Sequence, residues 1–320
     1  MKSTPLSLPP TAIGLHTILG ANGVIGRELS AALAASGQQV RQVNRHPKAE
    51  HPGDELRVPD LLDARSTADA VIGSAVVYLL VGLRYDAAVW ESEWPLVMQN
   101  VIDACQRHGA RLVFFDNVYA YGAVADEMTE DTPFNPCSRK GAVRAAIATT
   151  LLDAIARGDL QAMIARSADF YGPGATNSLL RLVLFERLRA RRAPQWMGDP
   201  TARHSFTYTP DAGRALATLA QSEAAWGQTW HLPTSPEPMS GERMTRLACD
   251  LAGQPYRLSV APGWLLKLLS LAVQPIRENQ ELMYQLDRDY RFSSKKIEAA
   301  LGLAATPYAD GVTATLASAI

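Results

Sequence analysis

Short apolar runs and longer amphipathic stretches take turns along the first half of the chain. Runs at His16–Leu19, Gln39–Val43, Ala75–Val81, Arg111–Phe115 and Gln161–Ala165 predict strands. Between them, Ile25–Ser36, Ser66–Ile72, Trp90–His108 and Lys140–Arg157 carry helical patterns. Strands that are apolar along their whole length belong to a sheet covered on both faces, which is the parallel case. Strand and helix in strict alternation mean crossover units and a doubly wound α/β sheet.

After Ser167 the rhythm changes. Gly172-Pro173-Gly174 predicts a turn, Ser178 to about Arg191 a helix, and Ser205–Thr209 a short strand. A helix over Asp211–Ser222 and a strand over Thr229–Leu232 follow, then helical segments broken by proline and glycine. The expected organisation is a nucleotide-binding domain over residues 12–172 plus about 208–232. Residues 173–207 and 233–320 then form a smaller, mostly helical capping domain at the carboxyl edge of the sheet, where ligands bind in open α/β folds.

The first strand runs directly into Gly20-Ala21-Asn22-Gly23-Val24-Ile25-Gly26. Gly20 lets the chain turn out of the strand, Gly23 leaves room for a phosphate to reach the backbone, and Gly26 lets the helix pack closely. The helix start that follows offers free N–H groups and a partial positive charge to a pyrophosphate. A glycine triplet after a strand and before a helix predicts a dinucleotide held by Gly20, Asn22, Gly23, Val24, Ile25 and Gly26 in a Rossmann-type domain. The second strand ends in Val43-Asn44-Arg45-His46, with no carboxylate to bind a ribose 2′-hydroxyl. Arg45, beside Asn44, suits a 2′-phosphate, so NADP(H) is expected over NAD(H).

Composition narrows the class. The formal net charge is -1, with 20% charged and 47% apolar residues, so no basic surface calls for nucleic acid. Arg187, Arg189, Arg191 and Arg192 read as a solvated helix end. Cys105, Cys137 and Cys249 are odd in number and lack metal spacing, which suits a reducing cytoplasm. The opening MKSTPLSLPPT has no continuous apolar run and reads as a short disordered tail rather than a signal peptide. The most hydrophobic later stretch, Trp264–Val273, contains Lys267 and is too short to span a bilayer; it reads as an amphipathic helix at a pocket or a dimer contact.

Several of these segments, taken together and in order, resemble a family. Gly20–Gly26 is similar to the GxxGxxG loop of the extended short-chain dehydrogenase/reductases, the NAD-dependent epimerase/dehydratase group. Asp60-Leu61 resembles the family's adenine-contacting Asp-Leu, and Val81-Gly82 sits where its backbone passes the cofactor ribose. Asn100 falls where the family's central helix often has an Asn. Arg166–Pro173 resembles Arg-Pro-x-x-x-Tyr-Gly-Pro, and Ser205–Asp211 resembles Phe-x-Tyr-Val-x-Asp. The resemblance implies a small-molecule substrate and often a homodimer through the two long helices. It also implies a proton-exchanging Tyr in Tyr-x-x-x-Lys, a Lys that holds the nicotinamide ribose, and a Ser that holds the substrate carbonyl.

The catalytic positions depart from that pattern. Asn117 stands where the family has Ser, and Lys140 fits the family Lys, but Pro136 occupies the Tyr position and cannot transfer a proton. Tyr119, two residues past Asn117, and Tyr171, on the Tyr-Gly-Pro turn, are candidate replacements. The expected catalytic set is Asn117, Tyr119 and Lys140, with Lys140 also on the cofactor and Tyr171 and Asn177 on the substrate. Asp169 is a turn cap or a general base, and the six histidines show no metal spacing. Two functions remain open. One is an NAD(P)-dependent oxidoreductase of a small carbonyl or alcohol, with a nucleotide-sugar epimerase or dehydratase as a variant. The other is a cofactor sensor without turnover.

Overall fold

The structure is a computed structural model that describes residues 14–261, 268 and 270–318. The expected amino-terminal tail and half of the Trp264–Val273 helix fall outside those residues. Seven parallel strands form the main sheet. These are β1 (Leu15–Leu19), β2 (Gln39–Val43), β3 (Glu55–Arg57), β4 (Val76–Leu79), β5 (Arg111–Asp116), β6 (Ala162–Arg166) and the strand Thr229–His231. Their order runs Thr229–His231, β6, β5, β4, β1, β2, β3. In sequence order the strands first build outward from β1 through β2 to β3, and then start again at β4 on the other side of β1. That reversal opens a crevice at the carboxyl ends of β1 and β4.

The sheet is covered on both faces, as its continuous apolar strands require. On one face α3 (Ala87–His108) and α4 (Arg139–Ala156) bring Val97, Val101, Ile147 and Leu151 onto Leu79, Leu112 and Phe114. On the other, α1 (Val24–Ala35) and the helix Thr209–Gln221 set Leu29, Leu33 and Leu216 on Ile18, Val40 and Val113. Asp86 caps α3 by accepting from the Ala88 and Val89 N–H groups, and Gly109 ends it with φ 65°.

Beyond β6 a third core gathers Leu184, Phe185, Trp196, Met244 and Val312. It is held by strand pairs of two or three residues each, such as Asp169–Tyr171 with Phe206–Tyr208. The helix expected over Ser178–Arg191 is a π-helical turn, Arg181–Phe185, followed by Glu186–Arg189. Two arginines of its basic end bond backbone carbonyls: Arg187 Nε donates to Ala193 O at 2.5 Å, and Arg189 Nη2 to Thr315 O at 2.6 Å.

His16 lies on β1 inside the sheet and shares a 2.9 Å hydrogen bond with Tyr78 Oη. Burial pushes its pKa from 6.5 down to about 4, against a smaller opposing effect of Gln38. The unfolded chain therefore binds this proton more readily than the folded one. The contribution is complete above pH 6.5 and is lost as pH falls toward 4. At pH 5 it should have cost about 2 kcal/mol relative to pH 8. Buried His231, also shifted downward by burial, adds in the same direction. Urea unfolding at the two pH values should show a smaller loss for His16→Asn than for the wild type; equal losses would remove His16 from this account.

Candidate active site

The glycine loop is set by backbone contacts on three sides. Gly20 leaves β1 at φ +99°, and a Cβ there would lie 2.8 Å from the backbone of Leu80 and Val81. The N–H groups of Gly20 and Ala21 both donate to Val43 O, at 2.9 and 3.2 Å, which pins the loop to the end of β2. Asn22 Nδ2 donates to His46 O at 2.6 Å. At Gly26 a Cβ would lie 2.5 Å from Ala21 O, so the first turn of α1 folds tightly over the loop. Gly23 is the N-cap residue and no side chain caps the helix, so the first amides, including those of Val24 and Ile25, remain available to an anion.

This loop forms the floor of a cleft of about 570 Å³. Asn44 and Arg45 from the end of β2 line one side, Asp60 and Leu61 the next, and Val81 and Gly82 from the end of β4 another. Asn100 reaches from α3 to donate to Leu61 O at 2.9 Å and fixes that wall. Asp60 Oδ1 accepts from the Leu62 N–H at 2.9 Å. Arg45 is exposed at the cleft and forms no ion pair among the described residues. Asn177, expected on the substrate, lines this same cleft beside the glycine loop. The bare amides, the side-chain-free floor and the volume fit a dinucleotide. No group of three or more His, Cys, Asp or Glu able to hold a metal ion occurs among the described residues.

The catalytic candidates lie beyond the end of β5. Asn117 Oδ1 accepts from the Tyr119 N–H at 3.0 Å, closing a turn, while its amide N–H groups have no bond among the described residues. The Tyr119 hydroxyl is 3.4 Å from that of Tyr85, and its ring stacks on Trp90 at 6.4 Å. Burial holds the Tyr119 phenol well above its ordinary pKa, and the neighbouring Tyr85 and Asp169 add to this.

Lys140 differs from expectation. Its side chain is fully buried, and Nζ donates to Glu278 Oε2 at 2.6 Å, to Glu278 O at 2.9 Å and to Glu281 Oε1 at 2.9 Å. An ammonium has three protons, and all are placed. Any ribose contact requires one of these bonds to be exchanged. The carboxylates come from the segment around the helix Gln274–Gln280 and also take N–H groups at both long helices. Glu278 accepts from the Ala87 N–H at 2.9 Å and Glu281 from the Arg139 N–H at 2.6 Å. A cation at a helix start is thereby offset by two anions, which is why it is tolerated there.

Tyr171 is a correction. It is 1% exposed, packs 5.4 Å from Tyr208 and 5.8 Å from Tyr308, and its hydroxyl is buried without a hydrogen-bond partner. It belongs to the third core, with no route to a substrate. Asp169, two residues earlier on the same short strand, has its Oδ2 3.1 Å from His204 Nε2. Sequence reading missed Tyr85, Glu278 and Glu281, and did not pair Asp169 with His204. Tyr85 lies on the loop after β4, and its ring carries the Lys140 ammonium at 4.8 Å from the centroid.

A profile of the NAD dependent epimerase/dehydratase family matches residues 16–231. The chain is 28% identical over 203 residues to dTDP-6-deoxy-L-talose 4-dehydrogenase (NAD(P)(+)) of Kitasatospora kifunensis, covering 59% of this chain and 62% of that protein. It is 25% identical over 217 residues to dTDP-4-keto-6-deoxy-D-glucose reductase of Streptomyces niveus, covering 65% and 69%. In fold it is similar to DesIV, a dTDP-glucose 4,6-dehydratase from Streptomyces venezuelae solved with NAD and TYD bound. The TM-score is 0.77 at 18% identity, over 94% of this chain and 95% of that one.

Proposed function

Because the chain belongs to the NAD dependent epimerase/dehydratase family, we infer that it is an NAD(P)-dependent oxidoreductase acting on a carbonyl or alcohol carbon, with a nucleotide sugar as the substrate class. The observation that carries this reading is the cleft over Gly20 and Gly23, with its uncapped helix start and its walls from the ends of β2 and β4. The named activities of the two sequence relatives support the sugar-nucleotide class.

A nicotinamide dinucleotide bound in the cleft supplies or accepts the hydride. The chain would hold its pyrophosphate on the amides of Val24 and Ile25, and its adenine side between Asp60-Leu61 and Asn44-Arg45. Asn117 directs its free amide N–H groups to the substrate oxygen. Tyr119 is two residues further on, but burial raises its phenol pKa, which makes it a poor proton donor.

NADP(H) is the preferred cofactor in this reading. The exposed, unpaired Arg45 guanidinium and the absence of a carboxylate at the end of β2 both favour a 2′-phosphate. Arg45→Ala should weaken NADPH binding about 10- to 100-fold and leave NADH within a few-fold, since a charge-assisted contact contributes about 1.5–3 kcal/mol. Fluorescence titration of both cofactors measures this; equal losses would remove the preference.

A second reading, a sensor that binds cofactor without turnover, is favoured by Pro136 in the proton-transfer position and by the saturated Lys140. NADPH oxidation against a panel of carbonyls that includes dTDP-4-keto-6-deoxyglucose separates the two. Tight cofactor binding with no oxidation anywhere in the panel would replace the enzyme reading by the sensor.

A further inference from the structure

On the resemblance set out above, Pro136 stands at the position of the proton-exchanging Tyr, and the candidate phenols are poor substitutes. Tyr85, Tyr119, Tyr284 and Tyr290 are all pushed upward, first by burial, and in each case the Asp169 carboxylate adds to the shift. These four phenols approach from three parts of the chain: the loop after β4, the turn after β5 and the segment 284–290.

That carboxylate is not alone. His204 is 3% exposed and its two ring nitrogens meet two acceptors. Nδ1 is 3.1 Å from Gln285 O, and Nε2 is 3.1 Å from Asp169 Oδ2. A backbone carbonyl cannot donate, so Nδ1 must carry hydrogen to make the first bond. The second bond then needs one more proton, on Nε2 or on the carboxyl. The ring is fixed in that attitude by Phe206 at 4.6 Å and by Tyr290, stacked at 5.9 Å. Asp169 itself is 29% exposed at the side chain, and its Oδ1 has no hydrogen bond among the described residues. Arg203, the residue before His204, is paired with Asp289 on the surface.

We propose that Asp169 and His204 form the acid–base unit of this site, with Asp169 exchanging the proton at the substrate oxygen and His204 holding and aligning it. This assignment rests on the oxidoreductase reading above. In the reducing direction the substrate carbonyl carbon takes a hydride from the reduced nicotinamide. The carbonyl oxygen takes the proton held by the pair. The C=O π bond becomes a C–H and an O–H bond, the nicotinamide is oxidised, and the pair is left as a carboxylate and a neutral imidazole. It regains its proton from water. The position on the strand directly after β6, at the carboxyl edge of the sheet, places this carboxyl on the side of the molecule where Asn117 and Tyr119 lie.

The test has one arm with substrate and one without. With NADPH and dTDP-4-keto-6-deoxyglucose, Asp169→Asn should lower kcat about 100-fold or more, with KM changed only a few-fold and the acidic limb of the pH profile lost. Asp169→Glu should recover part of kcat. His204→Gln, which acts through Asp169, should shift that limb as well as lower kcat. Without substrate or cofactor, proton NMR of the wild type should show a far-downfield imidazole N–H resonance that disappears in both Asp169→Asn and His204→Gln. Thermal melts of each variant identify any that fail to fold, and the wild-type resonance is then decisive by itself. Unchanged kcat and pH profile in folded Asp169→Asn, or no such resonance in the wild type, would overturn the assignment. If the wild type binds NADPH but oxidises none with the whole panel, the oxidoreductase reading fails and this role fails with it. Turnover by wild type and Asp169→Asn at equal kcat sinks this role alone.

Discussion

Gly20→Ala is expected to abolish dinucleotide binding and to destabilise the protein by about 2–4 kcal/mol. Two costs add. The backbone at φ +99° is one that a residue with a Cβ rarely adopts, at about 1–3 kcal/mol. The new methyl would also lie 2.8 Å from the backbone carbonyl of Leu80 and the N–H of Val81, neither of which can rotate away. Relief comes only by moving the loop off β4, and the cleft floor moves with it. Cofactor affinity should fall more than about 100-fold. Gly37→Ala is the control, because its φ of +74° carries the strain but nothing lies within 4 Å of the added carbon. It should lose about 1 kcal/mol and keep full affinity. Folded Gly20→Ala that binds NADPH normally would contradict the site described here.

Asp116→Ala should cost still more, about 3–5 kcal/mol, because it leaves two buried guanidinium groups without their shared anion. Asp116 Oδ1 pairs with Arg144 Nη2 at 2.6 Å and Oδ2 with Arg166 Nη2 at 2.8 Å. Arg166 goes on to donate to Tyr121 Oη at 2.7 Å, which is 2.6 Å from His231 Nε2. Burial alone would raise the Asp116 pKa, but Arg144 and Arg166 outweigh it and hold it below 3.8. A depressed carboxylate stabilises the fold at all pH values above its unfolded pKa and loses that effect as pH falls below about 3.8. The difference in unfolding free energy between wild type and Asp116→Ala should therefore be full at pH 7 and shrink in strong acid. A difference below 1 kcal/mol at pH 7 would mean that the two arginines find other partners.

Although Gly20 answers to Leu80 and Val81 far along the chain, the glycine loop was legible in the sequence because its strand, turn and helix start lie within eleven residues of one another. The same holds for the long helices and for the five central strands. β3 escaped because three half-exposed residues at a sheet edge make no apolar run. The partners of Lys140 escaped for a different reason. Glu278 is 138 residues away, and no periodicity links them. Asp169 and His204 are 35 apart and lie on strands that do not pair with each other: Asp169–Tyr171 runs beside Phe206–Tyr208, and Arg203–His204 beside Met239–Ser240. Tyr171 shows the limit of a motif. The Tyr-Gly-Pro turn fixes where the backbone goes, but the ring follows the space left by Gly311, where a Cβ would collide with its hydroxyl.

The position of the last strand in the sheet has a consequence for biosynthesis. β6 is translated long before Thr229–His231, and residues 167–228 emerge in between. Throughout that interval the nascent chain presents a finished row of donors and acceptors with no neighbour to cover it. A ribosome-bound intermediate of this protein is thus vulnerable to pairing with a second copy of itself, and shielding by a chaperone has its greatest value in that window.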